Sequence, residues 1–146
     1  MIRRYVPDDL DGAAEVFRSA FANPPWNEKW DISHAADRIR ELMSAPQSVG
    51  YVYDDRGSIK AVLCGRVLTY LHGAEYVIDE FCVAADMQRC GIGSAVIDHV
   101  YEELSEQGVV AMALMTTRGY PSERFYIKKG FTGNDDMVFM YRAFDK

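Results

Sequence analysis

The sequence Cys82-Val83-Ala84-Ala85-Asp86-Met87-Gln88-Arg89-Cys90-Gly91-Ile92-Gly93-Ser94-Ala95 decides the fold of this 146-residue chain. It leads from the end of an apolar strand, through a turn with two glycines, into a helix. The first turn of a helix has unpaired N–H groups and the positive end of the backbone dipole, so it attracts anions. The spacing predicts either a tight strand-to-helix turn or a cradle for a pyrophosphate beside Arg89.

Segments with helical and strand periodicity alternate on both sides of this turn, which indicates a mixed α and β protein. Apolar stripes predict helices that begin near residues 10, 32, 92 and 121, and the third of these is the clearest. Asp8 is expected to cap the first helix, and Asp31 or Ser33 the second. Strands are predicted over residues 2–6, 48–53, 58–71, 75–83, 109–115 and 137–144. The almost wholly apolar residues 109–115 are expected to be buried on both faces of the sheet.

Length and composition fit one globular domain that spans residues 1–146, with 49% hydrophobic and 26% charged residues. The net charge of −6 argues against nonspecific nucleic-acid binding, so an anionic ligand would need a local site. No secretion signal or membrane-length apolar run is recognisable. The three cysteines have neither metal-site nor disulfide-framework spacing. We therefore expect a cytoplasmic protein with reduced thiols, no metal and no membrane partner.

Two common phosphate motifs are absent. The chain has no GxxxxGK[ST], and GxGxxG fails because Val96 stands three residues after Gly93. What remains is Gln88-x-x-Gly91-x-Gly93, followed later by Phe125-Tyr126-Ile127-Lys128-Lys129-Gly130-Phe131. With these two segments the chain resembles the GNAT superfamily of N-acetyltransferases, whose motif A is Q/R-x-x-G-x-G/A and whose motif B has F-Y-x-x-x-G-F. The resemblance extends over most of the chain.

The resemblance implies an α+β fold in three α/β/α layers. Its sheet would be mixed but mostly antiparallel, with helices on both faces, and splayed between the strands at 75–83 and 109–115. It also implies a transferase that uses acetyl-CoA as cosubstrate and moves the acetyl group directly to a primary amine of a small molecule or peptide. Family members are often dimers, so a homodimer is an open expectation.

The resemblance also implies which residues bind acetyl-CoA. Backbone amides of motif A hold the pyrophosphate, and the preceding strand pairs with the pantetheine arm. The matching positions here are Phe81, Cys82, Val83, Gln88, Arg89, Cys90, Gly91, Ile92, Gly93 and Ser94. Where many members have an asparagine before the motif B helix, this chain has residues 116–121 without one. Ser122 or the two threonines Thr116 and Thr117 are the expected substitutes, and Arg118 is a candidate for charge at the nucleotide end.

Catalytic roles follow from the same resemblance. Tyr126 matches the general acid that protonates the leaving thiolate, because a phenol keeps its proton at neutral pH. Glu80 is the candidate base, acting directly or through water, with Asp79 in reserve. Strand alternation sends these two carboxylates to opposite faces unless a bulge intervenes. The alternatives are that Tyr126 only packs its helix and that Glu80 is an ion-paired carboxylate of the sheet.

Two further expectations concern the acyl group. A main-chain N–H near Phe81 to Val83 is the expected oxyanion donor. A covalent acyl-cysteine at Cys82 or Cys90 is not expected, because no motif places a histidine to activate either thiol.

The resemblance also implies an acceptor site at the loop over residues 24–30, together with Asp79. Aromatic and carboxylate side chains in this proline-stiffened loop are suited to clamp a small amine: Trp26, Asn27, Glu28 and Trp30. Alternatively, the tryptophans anchor the loop to the core. The negative net charge favours a cationic acceptor such as an aminoglycoside, a polyamine or a protein amino group.

Two competing functions remain: a noncatalytic acyl-CoA-binding module on the same fold, and an unrelated α+β domain with a chance glycine turn.

Overall fold

A five-stranded sheet organises the first part of the chain in the computed structural model, which describes residues 1–145. The chain divides into two compact units, Met1–Met115 and a second that begins at Thr116. The single-domain organisation stays a prediction. The elements in chain order are β1 (Ile2–Arg4), α1 (Leu10–Phe21), α2 (Ile32–Met43), β2 (Ser48–Asp55), β3 (Ser58–Tyr70), β4 (Gly73–Val83), α3 (Ile92–Glu106), β5 (Ala111–Ala113) and α4 (Pro121–Lys128).

The strands lie in the order β1-β2-β3-β4-β5, with three antiparallel pairings followed by one parallel pairing between β4 and β5. The parallel ladder is short and joins Glu75–Val77 to Ala111–Ala113, although β4 continues to Val83. The sheet is therefore mixed and mostly antiparallel, as the sequence predicts. Its β4–β5 pairing stops well before β4 ends, which is the expected opening in the sheet.

Helices cover both faces of this sheet. Val52, Val62 and Cys64 belong to the buried cluster formed with α1 and α2. Tyr51 points the other way because strand neighbours alternate, and its ring meets His99 of α3 edge-on at 6.0 Å between ring centroids. The prediction of helices on both faces is confirmed for the residues of the first unit.

A β-bulge interrupts the alternation of β4 at the position that matters most for the site. Cys64 pairs with Glu80 while Gly65 pairs with Ile78, so Asp79 is the extra residue on β4. Beyond the bulge, Cys82 joins the cluster on the α1 and α2 face. The bulge turns the side chains of Asp79 and Glu80 to that same face, where an arginine binds each of them.

Some local expectations are wrong. Asp9, not Asp8, precedes α1, and its carboxylate accepts from Val6 N and Arg3 instead of capping the helix. Strand β5 has only three residues and is partly exposed, and residues 137–144 form no strand. A strand needs a neighbouring backbone for its hydrogen bonds, so an apolar run alone does not fix its extent. Within residues 1–145, no helix is long and apolar enough to span a membrane.

Candidate active site

The glycine turn forms an exposed entry to α3. Gly91 is the residue before the helix and has a φ of +84°, a conformation that favours glycine. A Cβ placed there would meet no atom within 4 Å, so the space beside its backbone is open. No side chain caps this helix start and its first turn has no acidic residue. The Gln88 amide donates to Val83 O at 3.1 Å and ties the loop to the end of β4.

Two arginines hold the carboxylates at the bulge in different ways. Arg66 of β3 grips Asp79 with two bonds, Nε to Oδ2 and Nη2 to Oδ1, each 2.8 Å long. Arg38 of α2 donates one bond from Nη2 to Glu80 Oε1 at 3.0 Å. Both oxygens of Asp79 are therefore bound by one guanidinium in a bidentate ion pair, whereas Glu80 has a single guanidinium contact.

Burial and charge act on Glu80 in opposite directions. The side chain of Glu80 is only 20% exposed, and this burial raises the pKa of its carboxyl above the usual value. The hydrogen bond and charge of Arg38 lower that pKa, while the charges of Glu28 and Asp79 raise it. The net effect moves the pKa of Glu80 upward, toward the range of a general base.

The loop before α2 brings Glu28 into this cluster. The Trp30 indole donates from Nε1 to Glu28 Oε1 at 2.8 Å and so orients that carboxylate. The Trp30 ring packs against Phe17 at 4.9 Å between centroids, and Trp26 packs against Phe21 at 5.4 Å. Both tryptophans thus anchor the loop, as the structural alternative predicts. Asn27 is exposed with a positive φ of 51°.

The second unit contains the motif B helix, α4. Tyr126 lies on this helix with its ring 5.2 Å from that of Phe125 and 5.3 Å from that of Phe131, measured between centroids. The Ser122 hydroxyl is 2.7 Å from the Thr116 hydroxyl. The Glu123 carboxylate accepts from Gly119 N at 2.9 Å and fixes the turn before the helix. These contacts order Tyr126 and Ser122 within their unit, and their catalytic and binding roles stay predictions.

Comparison with known proteins identifies the family of this chain. The model of the acetyltransferase (GNAT) family matches residues 13–131, which include the glycine turn, the bulge carboxylates and α4. The chain belongs to the GNAT family. The predicted family and fold are thereby confirmed. Comparison with curated proteins gives no match.

Solved structures with the GNAT fold resemble the chain over nearly its whole length. A possible acetyltransferase from Clostridium difficile 630 has 17% identity and a TM-score of 0.83, with 99% of this chain and 98% of that chain covered. An aminoglycoside antibiotic 6'-N-acetyltransferase from Acinetobacter haemolyticus has 12% identity, a TM-score of 0.74 and 99% coverage of both chains.

A third similar structure is the ribosomal-protein-S18-alanine N-acetyltransferase from Escherichia coli. It has 22% identity and a TM-score of 0.70, with 90% of this chain and 77% of that chain covered. At these identities the likeness shows the fold.

The thiols of this GNAT protein differ in accessibility. Cys64 and Cys82 are buried, and burial raises the pKa of Cys64 to about 12 and that of Cys82 well above its usual value. Neither is suited to act as a nucleophile, since the thiolate is the reactive form. Cys90 is exposed in the glycine turn. Among residues 1–145, no group of His, Cys, Asp and Glu side chains is arranged to hold a metal ion.

Sequence reasoning missed Arg38 and Arg66. Neither belongs to a motif, and Arg38 is 42 residues from Glu80 in the chain. The available signal was the helical period of α2, in which Ala35 and Ile39 are buried and therefore place Arg38 at the margin of the buried face. Which carboxylate it reaches depends on the bulge in β4, and the alternating pattern of that strand does not reveal it.

Proposed function

We propose that this GNAT protein transfers the acetyl group of acetyl-CoA directly to a primary amine of a small molecule or peptide. The observation that carries the proposal is the open glycine turn before α3, in the same unit as a partly buried carboxylate whose pKa is raised. The first feature suits the cosubstrate and the second suits removal of a proton from the acceptor.

The residues of the turn fit the pyrophosphate of acetyl-CoA. Gly91 leaves open space where a side chain would stand, and the amides of Ile92, Gly93 and Ser94 begin a helix of 15 residues with no acidic group in its first turn. Arg89 and Cys90 are exposed beside them, and Gln88 anchors the loop. The short β4–β5 ladder supports pantetheine pairing along Phe81 to Val83. The bound cosubstrate supplies the activated acetyl group as a thioester.

Glu80 is proposed as the base because it is partly buried, has one guanidinium contact and has a raised pKa. It would take the proton that the acceptor nitrogen loses, directly or through water. Asp79 is bound by Arg66 through two hydrogen bonds, so it is proposed to line the acceptor site and not to act as the base.

Tyr126 is proposed as the acid that protonates the leaving thiolate. A main-chain N–H near Phe81 to Val83 would stabilise the oxyanion, and Ser122 would contact the cosubstrate. The ring contacts of Tyr126 with Phe125 and Phe131 support a fixed position for its phenol.

A cationic acceptor is proposed because carboxylates gather at the site. Glu28, oriented by Trp30, supplies negative charge beside the arginine-paired carboxylates of the bulge, within a chain of net charge −6. Trp26 and Asn27 complete the same loop. The similar structures include an aminoglycoside acetyltransferase and an acetyltransferase of a ribosomal protein, which supports testing both kinds of amine. The free thiols support a cytoplasmic setting, and homodimer formation stays a prediction for light scattering.

The test combines turnover with cosubstrate binding. Thiol release from acetyl-CoA is followed against aminoglycosides, polyamines, amino acids and N-terminal peptides, and calorimetry measures CoA binding. Gly91→Glu should abolish CoA binding because its side chain enters the open space. Gly108→Glu is the matched control, since Gly108 follows the other end of α3 with a φ of +86° and equally open surroundings.

The outcomes separate the competing functions. Turnover on one class of amine identifies the acceptor class and supports the enzyme. CoA binding that Gly91→Glu removes, without turnover on any amine, favours a noncatalytic acyl-CoA-binding module. If CoA does not bind to the wild-type protein, or binds equally to both glutamate variants, the proposed site is wrong.

A further inference from the structure

Arg38 reaches Glu80 from a firmly anchored helix. Its neighbours Ala35 and Ile39 are both fully buried and fix α2 against the sheet. Asp31 begins the helix and accepts from His34 N at 2.8 Å, which stabilises the first turn. The backbone of Arg38 therefore has a fixed position, and its guanidinium reaches Glu80 Oε1 at 3.0 Å across 42 residues of chain.

Most groups that face the Glu80 carboxylate are negative or neutral. Arg38, by contrast, donates a charged hydrogen bond to it. Arg66 donates from Nε and Nη2 to Asp79. The titratable and charged groups around Glu80 are Asp79 and Cys82 of β4, Cys64 of β3, Glu28 of the preceding loop and Arg38 of α2.

We propose that Arg38 is a positioning residue, whose guanidinium holds the Glu80 carboxylate ionised and aimed for removal of a proton from the acceptor amine. The inference rests on the proposed function, because it assigns Glu80 the part of base. In the step, the N–H bond of the acceptor ammonium breaks and an O–H bond forms on Glu80. Arg38 engages Oε1, so we assign the proton to Oε2. The amine is left neutral, with the lone pair that attacks the acetyl carbon.

The physical reason is the cost of a buried charge. A carboxylate that is mostly buried beside two other carboxylates favours its protonated form, and a protonated Glu80 accepts no proton. A guanidinium in hydrogen-bond contact favours the ionised form, by about one to three pKa units for an adjacent carboxyl. Arg38 thus keeps Glu80 usable as a base at a pH where burial alone would neutralise it.

The first experiment titrates Glu80 without any need for turnover. Carbon-13 NMR follows the glutamate carboxyls, and the signal of Glu80 is identified by its loss in Glu80→Gln. Arg38→Gln should raise the pKa of Glu80 by about one unit or more, and Arg38→Lys by less than half as much because it retains the charge. The matched control is Arg40→Gln, since Arg40 pairs with Asp37 on the exposed side of the same helix.

The second experiment measures kcat/KM against pH for the same variants. Arg38→Gln should move the acid limb to higher pH by the same shift that NMR records. One pH unit below the wild-type midpoint, a one-unit shift lowers the rate about tenfold. The KM for acetyl-CoA should not change, since Arg38 does not belong to the glycine turn.

The results distinguish this inference from the proposed function. If the wild type transfers no acetyl group, the proposed function fails, while the NMR titration still decides whether Arg38 holds Glu80 ionised. If the pKa of Glu80 stays unchanged in Arg38→Gln, or rises as much in Arg40→Gln, the inference is overturned even in an active enzyme. Should Arg38→Gln fail to fold, Arg38→Met removes the same charge and hydrogen bond: a rise of about one unit in the pKa of Glu80 supports the inference, and an unchanged pKa overturns it.

Discussion

Adjacent carboxylates have different environments at the scale of single residues. Asp79 and Glu80 share a face because of the bulge, yet Asp79 is bound by two bonds from Arg66 and Glu80 by one from Arg38. The Arg66 guanidinium engages both oxygens of Asp79, whereas Arg38 engages one oxygen of Glu80. A difference in partners, and not in residue type, therefore favours Glu80 as the base.

Glu80→Gln should lower kcat/KM by about tenfold to a hundredfold and remove the acid limb of its pH profile. A base must be ionised, so wild-type activity rises with pH through the pKa of Glu80, which burial has moved above its usual value. Residual activity is expected because orientation of the two bound reactants remains. Steady-state rates over a pH series provide the measurement.

Asp79→Asn is the comparison for that variant. It should retain the acid limb, because Asp79 is bound by Arg66 and is not the proposed acceptor of the substrate proton. A profile that loses its acid limb in Asp79→Asn but keeps it in Glu80→Gln would reverse the assignment.

Tyr126→Phe should lower kcat about a hundredfold or more, because a general acid typically contributes that much to the rate. The affinity for CoA should stay unchanged. Phenylalanine preserves the ring contacts with Phe125 and Phe131, so α4 should remain packed. Stopped assays and calorimetry measure the two quantities. Tyr101→Phe, at an exposed position of α3, is the control. Equal rates for wild type and Tyr126→Phe would assign the residue to packing alone.

At the scale of elements, the helices were predictable and the bulge was not. Ala13, Phe17 and Ala20 recur at helical spacing and are all buried in α1, and Gly91 and Ile92 mark the start of α3 as expected. These signals are local. The bulge depends on how β4 pairs with β3, and a single strand sequence does not contain its register. Arg38 could not be assigned for the same reason, because its partner is set by that register.

Gly65 is the residue of β3 that faces the register change and leaves room for a buried aromatic ring. A Cβ at Gly65 would lie 2.4 Å from Cζ of Tyr76, whose hydroxyl donates to Val49 O. Tyr76 is fully buried, so its ring has little freedom to retreat. We expect Gly65→Ala to lower the free energy of unfolding by about 1–3 kcal/mol, the usual cost of overpacking. Denaturant unfolding measures this difference.

Gly133→Ala is the control for the strand variant. A Cβ at Gly133 would meet no atom within 4 Å, and its φ lies outside the left-handed region. It should therefore leave stability nearly unchanged. A Gly65→Ala protein as stable as the control would mean that β3 and Tyr76 separate at little cost.

At the scale of the whole molecule, the sequence predicts the family better than it predicts the acceptor. Motifs A and B are short and contiguous, so the fold and the family follow from them and are confirmed by the match over residues 13–131. The proposed acceptor site combines Glu28 from one segment with Asp79 and Glu80 from another. Neither residues 109–115 nor residues 137–144 form the long strands that their apolar composition predicts, because pairing partners and not composition set strand length.

Besides its backbone pairing with β2, the N-terminal strand contributes one arginine that binds two carboxylates, and this contact makes stability depend on pH. Arg3 donates to both oxygens of Asp9, at 2.8 and 2.9 Å, and to Asp54 Oδ2 at 3.0 Å. Asp9 is 7% exposed, and the hydrogen bond from Arg3 lowers its pKa below the usual value. The pKa of Asp54 is also lowered, first by the Gly57 amide and then by Arg3.

Asp9→Asn should therefore lower the free energy of unfolding at pH 7 by about 1–3 kcal/mol, because it removes a charged hydrogen-bond pair from a buried position. A carboxyl with a lowered pKa in the folded state stabilises the protein above its unfolded pKa of about 4, and this stabilisation disappears as pH falls through the folded value. The difference between wild type and Asp9→Asn should accordingly be constant from pH 8 to about pH 5 and shrink below about pH 4. Asp8→Asn changes the same charge at an exposed neighbour and should have little effect at any pH. A difference that stays constant down to pH 3 would show that Asp9 acts through its shape and not through its charge.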